Sequence, residues 1–452
     1  MQKFIWNKEV TVAEAYDVVV VGGGPAGCAA AAAAAREGAE TLLIESGGAL
    51  GGMGTAGLVP AWCPFSDQEK MIYRGLAKTV FEELKALMPH TMPGDLDWVP
   101  IDPEALKRVY DALVIRYGAN ILFHTQFIDA IAEPDGTVSN ILVANKKGLS
   151  AYRAKVFIDC SGDADLIVSA GGGYEQGDAK GELMPATLCF VLTNVDEYAY
   201  QFDRRSGQHY GGIHPNNKNS IIYDIARDPR YPHIVDSHLC SQIIGPKTIG
   251  FNAGHLWNVD NTQPGSVSDA MVAGRILAEE FRQALAAYYP SAFANAFLVS
   301  TAQLMGIREG RRIIGDYTMT IEDYLLRRSF PDEISRNSYY IDLHLTPEEA
   351  AAELEHKLDM GARGLHYGKG ESHGIPYRSL LPKTLRNVLA AGRSISCDRR
   401  LLASVRVMPN CLCTGEAAGM AAAMAAQADG NVHMVDTDIL RQRLRNKGAY
   451  LL

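Results

Sequence analysis

The stretch from Tyr16 to Ser46 constrains the fold more than any other part of this chain. The apolar run Asp17-Val18-Val19-Val20-Val21 leads directly into Gly22-Gly23-Gly24-Pro25-Ala26-Gly27, which puts Gly22, Gly24 and Gly27 on a G-x-G-x-x-G spacing. This order predicts a strand, a tight turn and a helix from Cys28 to Arg36, followed by a second strand over Thr41 to Ile44. Gly22 permits the turn, Gly24 lets backbone approach a pyrophosphate, and Gly27 allows close packing of helix on strand, with the helix N-terminal amides facing the anion. Glu45 lies 18 residues beyond Gly27 at the end of the second strand. A carboxylate there accepts hydrogen bonds from both ribose hydroxyls of an adenosine and repels a 2′-phosphate. The unit therefore reads as the opening β-α-β of a dinucleotide site, for NAD or FAD.

The residues that follow favour FAD. Ser46-Gly47-Gly48-Ala49-Leu50-Gly51-Gly52-Met53-Gly54-Thr55-Ala56-Gly57 is a second glycine-dense loop for which an NAD-only fold has no evident need. A flavin is longer and wider, and bare backbone must approach its ribityl chain and ring along one side.

From here the chain resembles the FAD-dependent oxidoreductases of the glutathione-reductase-like flavoprotein fold, and is distantly similar to fumarate reductase flavoproteins. The resemblance covers nearly the whole chain. It is carried by Gly22 to Gly27 with Glu45, Gly51 to Thr55, Phe157-Ile158-Asp159-Cys160-Ser161-Gly162-Asp163-Ala164-Asp165, Met305 to Arg312, Gly374-Ile375-Pro376-Tyr377-Arg378, and Asn387 to Gly419. It implies that Pro25, Ala26, Ser46, Gly52, Met53, Gly54 and Thr55 join the fingerprint around FAD. It further implies that Ser161, Gly162 and Asp163 end a strand beside the adenosine, and that Gly392, Arg393 and the last helix cover the ribityl and ring end. Many members carry a histidine after the Ala-Gly-Arg stretch. This chain has Ser396-Cys397-Asp398-Arg399-Arg400 there, so no catalytic role carries over to that position.

Composition agrees with a large soluble enzyme. At 452 residues, 47% hydrophobic and 21% charged, the chain exceeds the length at which one core usually keeps growing. A net charge of −9 and the lack of a Lys/Arg-rich run argue against a nucleic-acid surface, and against an RNA-modifying flavoprotein. No run is long and apolar enough to span a membrane. The N-terminus lacks the apolar core of a signal peptide, which makes the expected setting cytoplasmic. The eight cysteines form no C-x-x-C pair and read as reduced thiols. Cys397, Cys411 and Cys413 fall in the flavin-proximal region, where thiol exchange, or covalent attachment at Cys397, is the less favoured reading. His209, His214, His233 and His238 match no zinc spacing and read as surface or loop histidines, so no metal is expected. A homo-oligomer is allowed but not specified.

The expected architecture is α/β: a discontinuous Rossmann-like FAD-binding domain (1–173 and 375–452) with an inserted α+β substrate-binding domain (174–374). Within the first part, Asp102 to Arg116 reads as a helix with Leu106, Val109, Leu113 and Val114 on one face, and Asn120 to Phe123 as a strand. A β-ribbon follows over 127–132, 138–144 and 151–158. Longer helices are expected over Ser266 to Tyr288, Thr346 to Gly361, Thr414 to Ala426 and Thr437 to Arg445. The alanine runs Ala29 to Ala35 and Ala421 to Ala426 read as tightly packed helices.

Chemistry is expected where the domains meet over the flavin ring. Arg308, Arg311 and Arg312 follow one another at near-helical spacing, and Arg308 is the ligand candidate against an ion-pair network with Glu309, Asp316 and Glu322. Tyr377 and Arg378 are placed to reach a substrate from the cap side. Arg406 and Met408 stand before the last helix, where positive potential suits a reduced flavin. His344 and His373 are the candidate proton-transferring bases. These residues point to hydride transfer between flavin N5 and a small polar organic substrate, hydroxylated or carboxylate-bearing, with an unknown electron donor or acceptor. The alternatives are a reductase of a carbon-carbon double bond next to a carboxylate, and a non-catalytic or electron-transfer flavoprotein.

Overall fold

The computed structural model describes residues 7–202, 213–215, 217, 219–344, 346–354 and 365–452. The fingerprint strand β1 (Thr11–Val21) becomes buried on both faces from Val18 onward, the pattern of a central parallel strand. It pairs in parallel with β2 (Thr41–Ile44) on one side and, along nearly its whole length, with β6 (Gly148–Asp159) on the other. β3 (Asn120–Leu122) extends the parallel sheet beyond β2, and the short strand Val388–Ala390 extends it beyond β6. On its other edge the first half of β6 pairs antiparallel with β5 (Val138–Asn145), which in turn pairs with β4 (Gln126–Ala132). One long strand thus belongs both to a parallel nucleotide-binding sheet and to an antiparallel ribbon.

Side-chain alternation along β1 divides the core. Val18 and Val20 face the helices, together with Leu43 and Ile158, whereas Val19 and Val21 face the ribbon side with Leu42, Ile44 and Phe157. On the helical face lie α1 (Pro25–Arg36), α2 (Leu76–Ala86) and α3 (Pro103–Tyr117). Asp102 caps α3 by accepting from the amides of Glu104 at 2.9 Å and Ala105 at 3.1 Å, and Gly118 ends it at φ 88°. The amphipathic helix α2 is absent from the sequence reading, although Leu76, Val80, Phe81 and Leu84 form its buried stripe.

The helix Met408–Ala426 begins earlier than the expected Thr414, because Pro409 occupies the first turn, where a missing N–H costs nothing. It crosses α1 at backbone contact. A Cβ on Gly415 would lie 2.1 Å from the Ala26 carbonyl oxygen, and one on Gly419 the same distance from that of Ala30. Both alanine runs belong to this interface, and Ala26 to Ala34 of α1 are all buried. Small side chains let the two axes come together, and most of the α1 surface is covered as a result.

A second core is built on a four-stranded antiparallel sheet in the order Phe297–Thr301, Phe190–Thr193, Thr248–Ala253, Leu239–Gly245. The helix Pro264–Tyr288 packs on it through Leu277, Phe281 and Leu285, and Phe190 stacks on Phe251 at 5.0 Å. Met319, Ile321, Tyr324, Ile334, Ile341, Tyr367 and Ile375 join the first core instead. The helix expected over Thr346 to Gly361 is present as Pro347–Leu354; the rest of that range lies outside the described residues, as do His209 and residues 1–6. Among the described residues no helix is long and apolar enough to cross a membrane.

Gly419→Ala should therefore push apart two helices that cannot move independently, costing about 1–3 kcal/mol. Gly265→Ala, where a new methyl meets nothing within 4 Å, should be neutral or slightly stabilising. Urea midpoints of the two variants test this; equal midpoints would deny that the contact is tight.

Candidate active site

A cavity of about 1690 Å³ runs from the fingerprint turn to the second sheet. It is larger than the roughly 300–1,000 Å³ typical of a single small-ligand site. One end is a cradle. Gly22 (φ 100°) turns tightly under Cys160, whose carbonyl oxygen a Cβ there would meet at 2.4 Å, while the Cβ position of Gly24 is open. Gly24 is the N-cap of α1 and offers no capping side chain, and the first turn holds no acidic residue, so the first amides of the helix face an anion site of the pyrophosphate type. Pro25, Ala26 and Gly52 line the same end, as do Glu45, Ser46 and Met53. The Glu45 carboxylate accepts from the amides of Gly23 at 2.7 Å and Gly47 at 2.6 Å, and so ties the two glycine loops together at the place expected for the ribose.

Beyond the cradle, Ser161, Gly162 and Asp163 border the cavity opposite Gly392 and Arg393. Arg393 donates to the Gly162 carbonyl at 2.9 Å and to Asp163 Oδ1 at 2.8 Å, closing this wall. Asp159 sits beneath it, accepting from the Ser161 amide and hydroxyl and the Ile167 amide; burial pushes its carboxyl up despite those bonds. Met408 and Arg406 line the cavity at the N-terminus of the helix Met408–Ala426, whose N-cap Val407 also provides no capping side chain. Gly27, Gly54 and Thr55 lie behind the wall. Gly27 packs on the Gly22 carbonyl, Gly54 on Leu106 and Met408, and Thr55 donates to the Leu50 carbonyl at 2.6 Å.

The other end is a polar wall. Arg308 is buried and donates to the Pro185 carbonyl at 2.8 Å, to Thr187 Oγ1 at 2.9 Å and to His238 Nε2 at 2.9 Å. Burial, then repulsion from Arg406, pulls its pKa down to about 10. Arg406 donates to the Asp342 carbonyl at 3.1 Å and to Asp342 Oδ2 at 3.2 Å. Burial works against ionisation of Asp342, but His344, Arg406 and Arg308 outweigh it and hold its carboxyl below the ordinary range. His344 is pulled down to about 4 by burial and by Arg308. His238 is lowered by burial and by His255, on whose ring it stacks at 4.3 Å. Nitrogens of His238, His255 and His344 come within 4.8 Å of one another, and the Arg308 guanidinium already supplies a cation to that cluster.

Several placements correct the sequence reading. His238, read as a surface or loop histidine, is half-buried and lines the cavity; His214, exposed in a loop as read, also borders it, and His233 is exposed against Glu280. Tyr377, Arg378 and His373 are not on the cavity wall. The strand His373–Pro376 pairs with Glu333–Asn337 and turns its side chains into the first core. Tyr377 is 1% exposed and donates to the Val432 carbonyl, and His373 meets the Tyr367 hydroxyl at 3.0 Å. Arg378 faces outward and is paired with Asp332 at 2.9 Å. The segment bearing Arg308, Arg311 and Arg312 is extended, not helical, so the three point apart. Arg311 binds the Asp163 carbonyl and Asp165, and Arg312 pairs with Glu309 at 2.8 Å. Asp316 pairs with His433 instead. Cys397 is buried away from the wall and its thiol is pushed up to about 12, while Cys411 reaches the wall with its thiol equally raised, which suits neither attachment nor exchange.

His255 and Asn252 escaped the sequence reading because nothing near them in the chain marks a site. Tyr340, Asp342 and His344 did leave a signal, since polar groups at alternate positions of an extended segment point to one side.

A parallel sheet whose first strand ends in a glycine turn, opening on a cavity with room for a dinucleotide and a second ligand, defines a dinucleotide-dependent redox enzyme. The sequence matches the FAD dependent oxidoreductase family over residues 17–444, and the chain belongs to that family. FAD is its cofactor, and the cradle fits it: the open Gly24 position, the uncapped α1 amides and the Glu45 carboxylate lie along one wall. Comparison with curated proteins found no match. Similar solved structures include a geranylgeranyl bacteriochlorophyll reductase-like protein from Thermoplasma acidophilum (14% identity, 97% of this chain and 93% of that chain, TM-score 0.43). The OxyS anhydrotetracycline hydroxylase from Streptomyces rimosus is also similar (14% identity, 67% of this chain, TM-score 0.40), and this chain spans 54% of its length. A third is the flavin-dependent brominase Bmp2 (13% identity, 96% and 83%, TM-score 0.43). Likenesses of this size carry no inference about the reaction.

Glu45→Ala should yield purified protein with reduced FAD content, measured from the ratio of visible to protein absorbance; full occupancy would remove Glu45 from the cofactor site. His373 supports a separate prediction about acid. Burial, then Arg336, pulls its pKa from 6.5 to about 3. The unfolded chain therefore takes up a proton that the folded one refuses: the stability is intact above pH 6.5 and is lost as pH falls toward 3. The loss should be about 2–3 kcal/mol by pH 4.5. Urea midpoints at pH 7 and 4.5 should diverge less in His373→Leu than in the native protein.

Proposed function

We propose that the cavity transfers a hydride between FAD and a small polar organic substrate bearing a carboxylate or several hydroxyls. When bound, FAD supplies the two-electron chemistry. The α1 amides would hold its pyrophosphate, Glu45 its adenosine ribose, and Gly392, Arg393 and Met408 its ribityl and ring end. In this reading residues 1–173 and 375–452 form the cofactor domain and 174–374 supply most of the substrate wall, within a cytoplasmic setting.

The observation that carries the proposal is that Arg308, His344 and Arg406 line the same cavity as Gly24 and Glu45. Arg406 presents a fixed donor that suits a carboxylate or a developing alkoxide, and Arg308, whose terminal nitrogens are taken up by the protein, adds a buried positive charge beside it. His344, kept neutral by burial, has a lone pair for a substrate hydroxyl proton at neutral pH, and the ionised Asp342 beside it favours the imidazolium that results. Tyr339 donates to Asp342 Oδ2 at 3.2 Å and helps keep that carboxylate in place.

Reduction of a carbon-carbon double bond next to a carboxylate would use the same arginines, with His344 delivering a proton. The finer resemblance to the glutathione-reductase-like fold, and distantly to fumarate reductase flavoproteins, supports that second reading. An electron-transfer role calls for a shallow, exposed ring; the burial of Arg308 beside a half-buried His238 favours an enclosed substrate.

An anaerobic visible spectrum of the holoenzyme tests the proposal. Bleaching of the flavin band by a member of a hydroxy-acid and sugar panel is expected; bleaching by NADH or NADPH alone would favour the reductase. On the reducing substrate, His344→Gln should slow flavin reduction roughly 10²- to 10⁴-fold. Arg406→Ala should slow it roughly 10- to 100-fold. FAD content should be retained in both, and unchanged rates would remove these residues from the site.

A further inference from the structure

Behind His344 stands a chain of buried polar groups that leads away from the cavity. His344 Nδ1 lies 2.8 Å from His255 Nε2, and His255 Nδ1 lies 3.2 Å from Asp236 Oδ2. Neither His255 nor Asp236 borders the cavity, and their side chains are 3% and 1% exposed. Two such groups would ordinarily be left out of a core; their alignment with a cavity histidine needs a reason.

The hydrogen bonds determine a direction. Asp236 accepts the His238 amide on Oδ1 at 2.7 Å and the His255 amide on Oδ2 at 3.1 Å, which is the behaviour of a carboxylate. His255 Nδ1 makes no well-aligned hydrogen bond, but the Asp236 carboxylate 3.2 Å away favours a proton on that nitrogen over a bare lone pair. A neutral imidazole so protonated has a bare Nε2, and that atom faces His344 Nδ1, which must then be the donor. His344 Nε2 is left bare. Asp342 Oδ2 lies 3.5 Å from it, too far for a good bond, and is itself engaged by Arg406 and Tyr339.

We propose that Asp236 and His255 are positioning residues that fix the tautomer of His344, so that its Nε2 lone pair meets the cavity and a proton accepted there is relayed inward. The proposal deepens the hydride-transfer reading and rests on it. As the substrate O–H bond breaks and a bond forms to His344 Nε2, the Nδ1 proton passes to His255 Nε2, and the imidazolium so formed is held by the Asp236 charge beside it. With FAD bound, the hydrogen of the substrate C–H bond would leave together with its electron pair, as hydride, to the flavin. Among the described residues, His238, Trp257, Arg308, Arg406, Tyr339 and Tyr340 also face this chain. Arg308 donates to His238 Nε2, so a cation already stands beside the imidazoles and a metal ion would have to displace it. Burial pushes the Asp236 carboxyl up, against the amides that favour its ionised form, so the polarity of the chain is what an experiment must read.

Histidine-selective ¹⁵N NMR of the holoenzyme reads it directly, with His255→Gln and His344→Gln used for assignment. Nδ1–H tautomers are expected at both His255 and His344 near neutral pH. Asp236→Asn, nearly isosteric, places an amide donor against His255 Nδ1 and should reverse both tautomers while FAD content and circular dichroism stay unchanged. Nε2–H tautomers in the native protein, a His344 tautomer unmoved by Asp236→Asn, or one equivalent of added Zn²⁺ shifting all three histidines would each overturn the proposal. The tautomers are read without turnover. Expected tautomers with no panel substrate reducing the flavin would therefore sink the hydride-transfer reading alone, and the reverse result would sink the relay alone.

Discussion

Backbone contact between α1 and the helix Met408–Ala426 is the constraint on which the rest of the structure depends. Gly415 and Gly419 lie against the carbonyls of Ala26 and Ala30, and Gly27 lies against that of Gly22, so turn, strand and two helices meet with no side chain between them. This contact aims two helix N-termini, at Gly24 and Val407, into one cavity, and neither is closed by a capping side chain. Uncapped amides and aligned peptide dipoles give that end of the cavity its affinity for anionic and electron-rich groups. The anion site is therefore a product of close packing, and does not depend on lysine or arginine side chains in the fingerprint.

At the far end, charge is handled differently. Arg308 and Arg406 are set against Asp236 and Asp342, and His238 and His344 between them are held toward the neutral form by burial and by neighbouring positive charge. Such a wall keeps fixed charges near one another in a largely buried setting, where each is worth more than it would be at a surface. It also explains why Arg308, with four acceptors arranged around its two terminal nitrogens, has the position of a framework residue as well as a cavity-lining one.

Legibility in the sequence followed the range of the interactions. The strand, turn and helix from Asp17 to Arg36, the Asp102 cap and the β-ribbon are set by neighbours a few residues apart, and they lie where local pattern places them. α2 escaped notice although its apolar stripe is regular. Tyr377, Arg378 and His373 carry functional groups of the expected type, yet their strand pairs with Glu333–Asn337 and faces the core or solvent. The arginines at 308, 311 and 312 are sequence neighbours whose extended backbone sends them to three different partners.

By itself, the sequence determined the dinucleotide cradle, because a positive-φ glycine, an open glycine, a packed glycine and an acid after the second strand are local requirements with few residue solutions. It also determined the membership in a flavoenzyme family that those residues signal. Only the tertiary structure decided the polar wall of the cavity and the histidine behind it. His238, His255, Arg308, His344 and Arg406 are separated by up to 168 residues in the chain, counting from His238 to Arg406. What unites them is the way the second sheet and the extended segment Tyr339–His344 close over the first domain. Hydrogen-bond distances among such groups are set by packing of whole elements, and no local pattern encodes them.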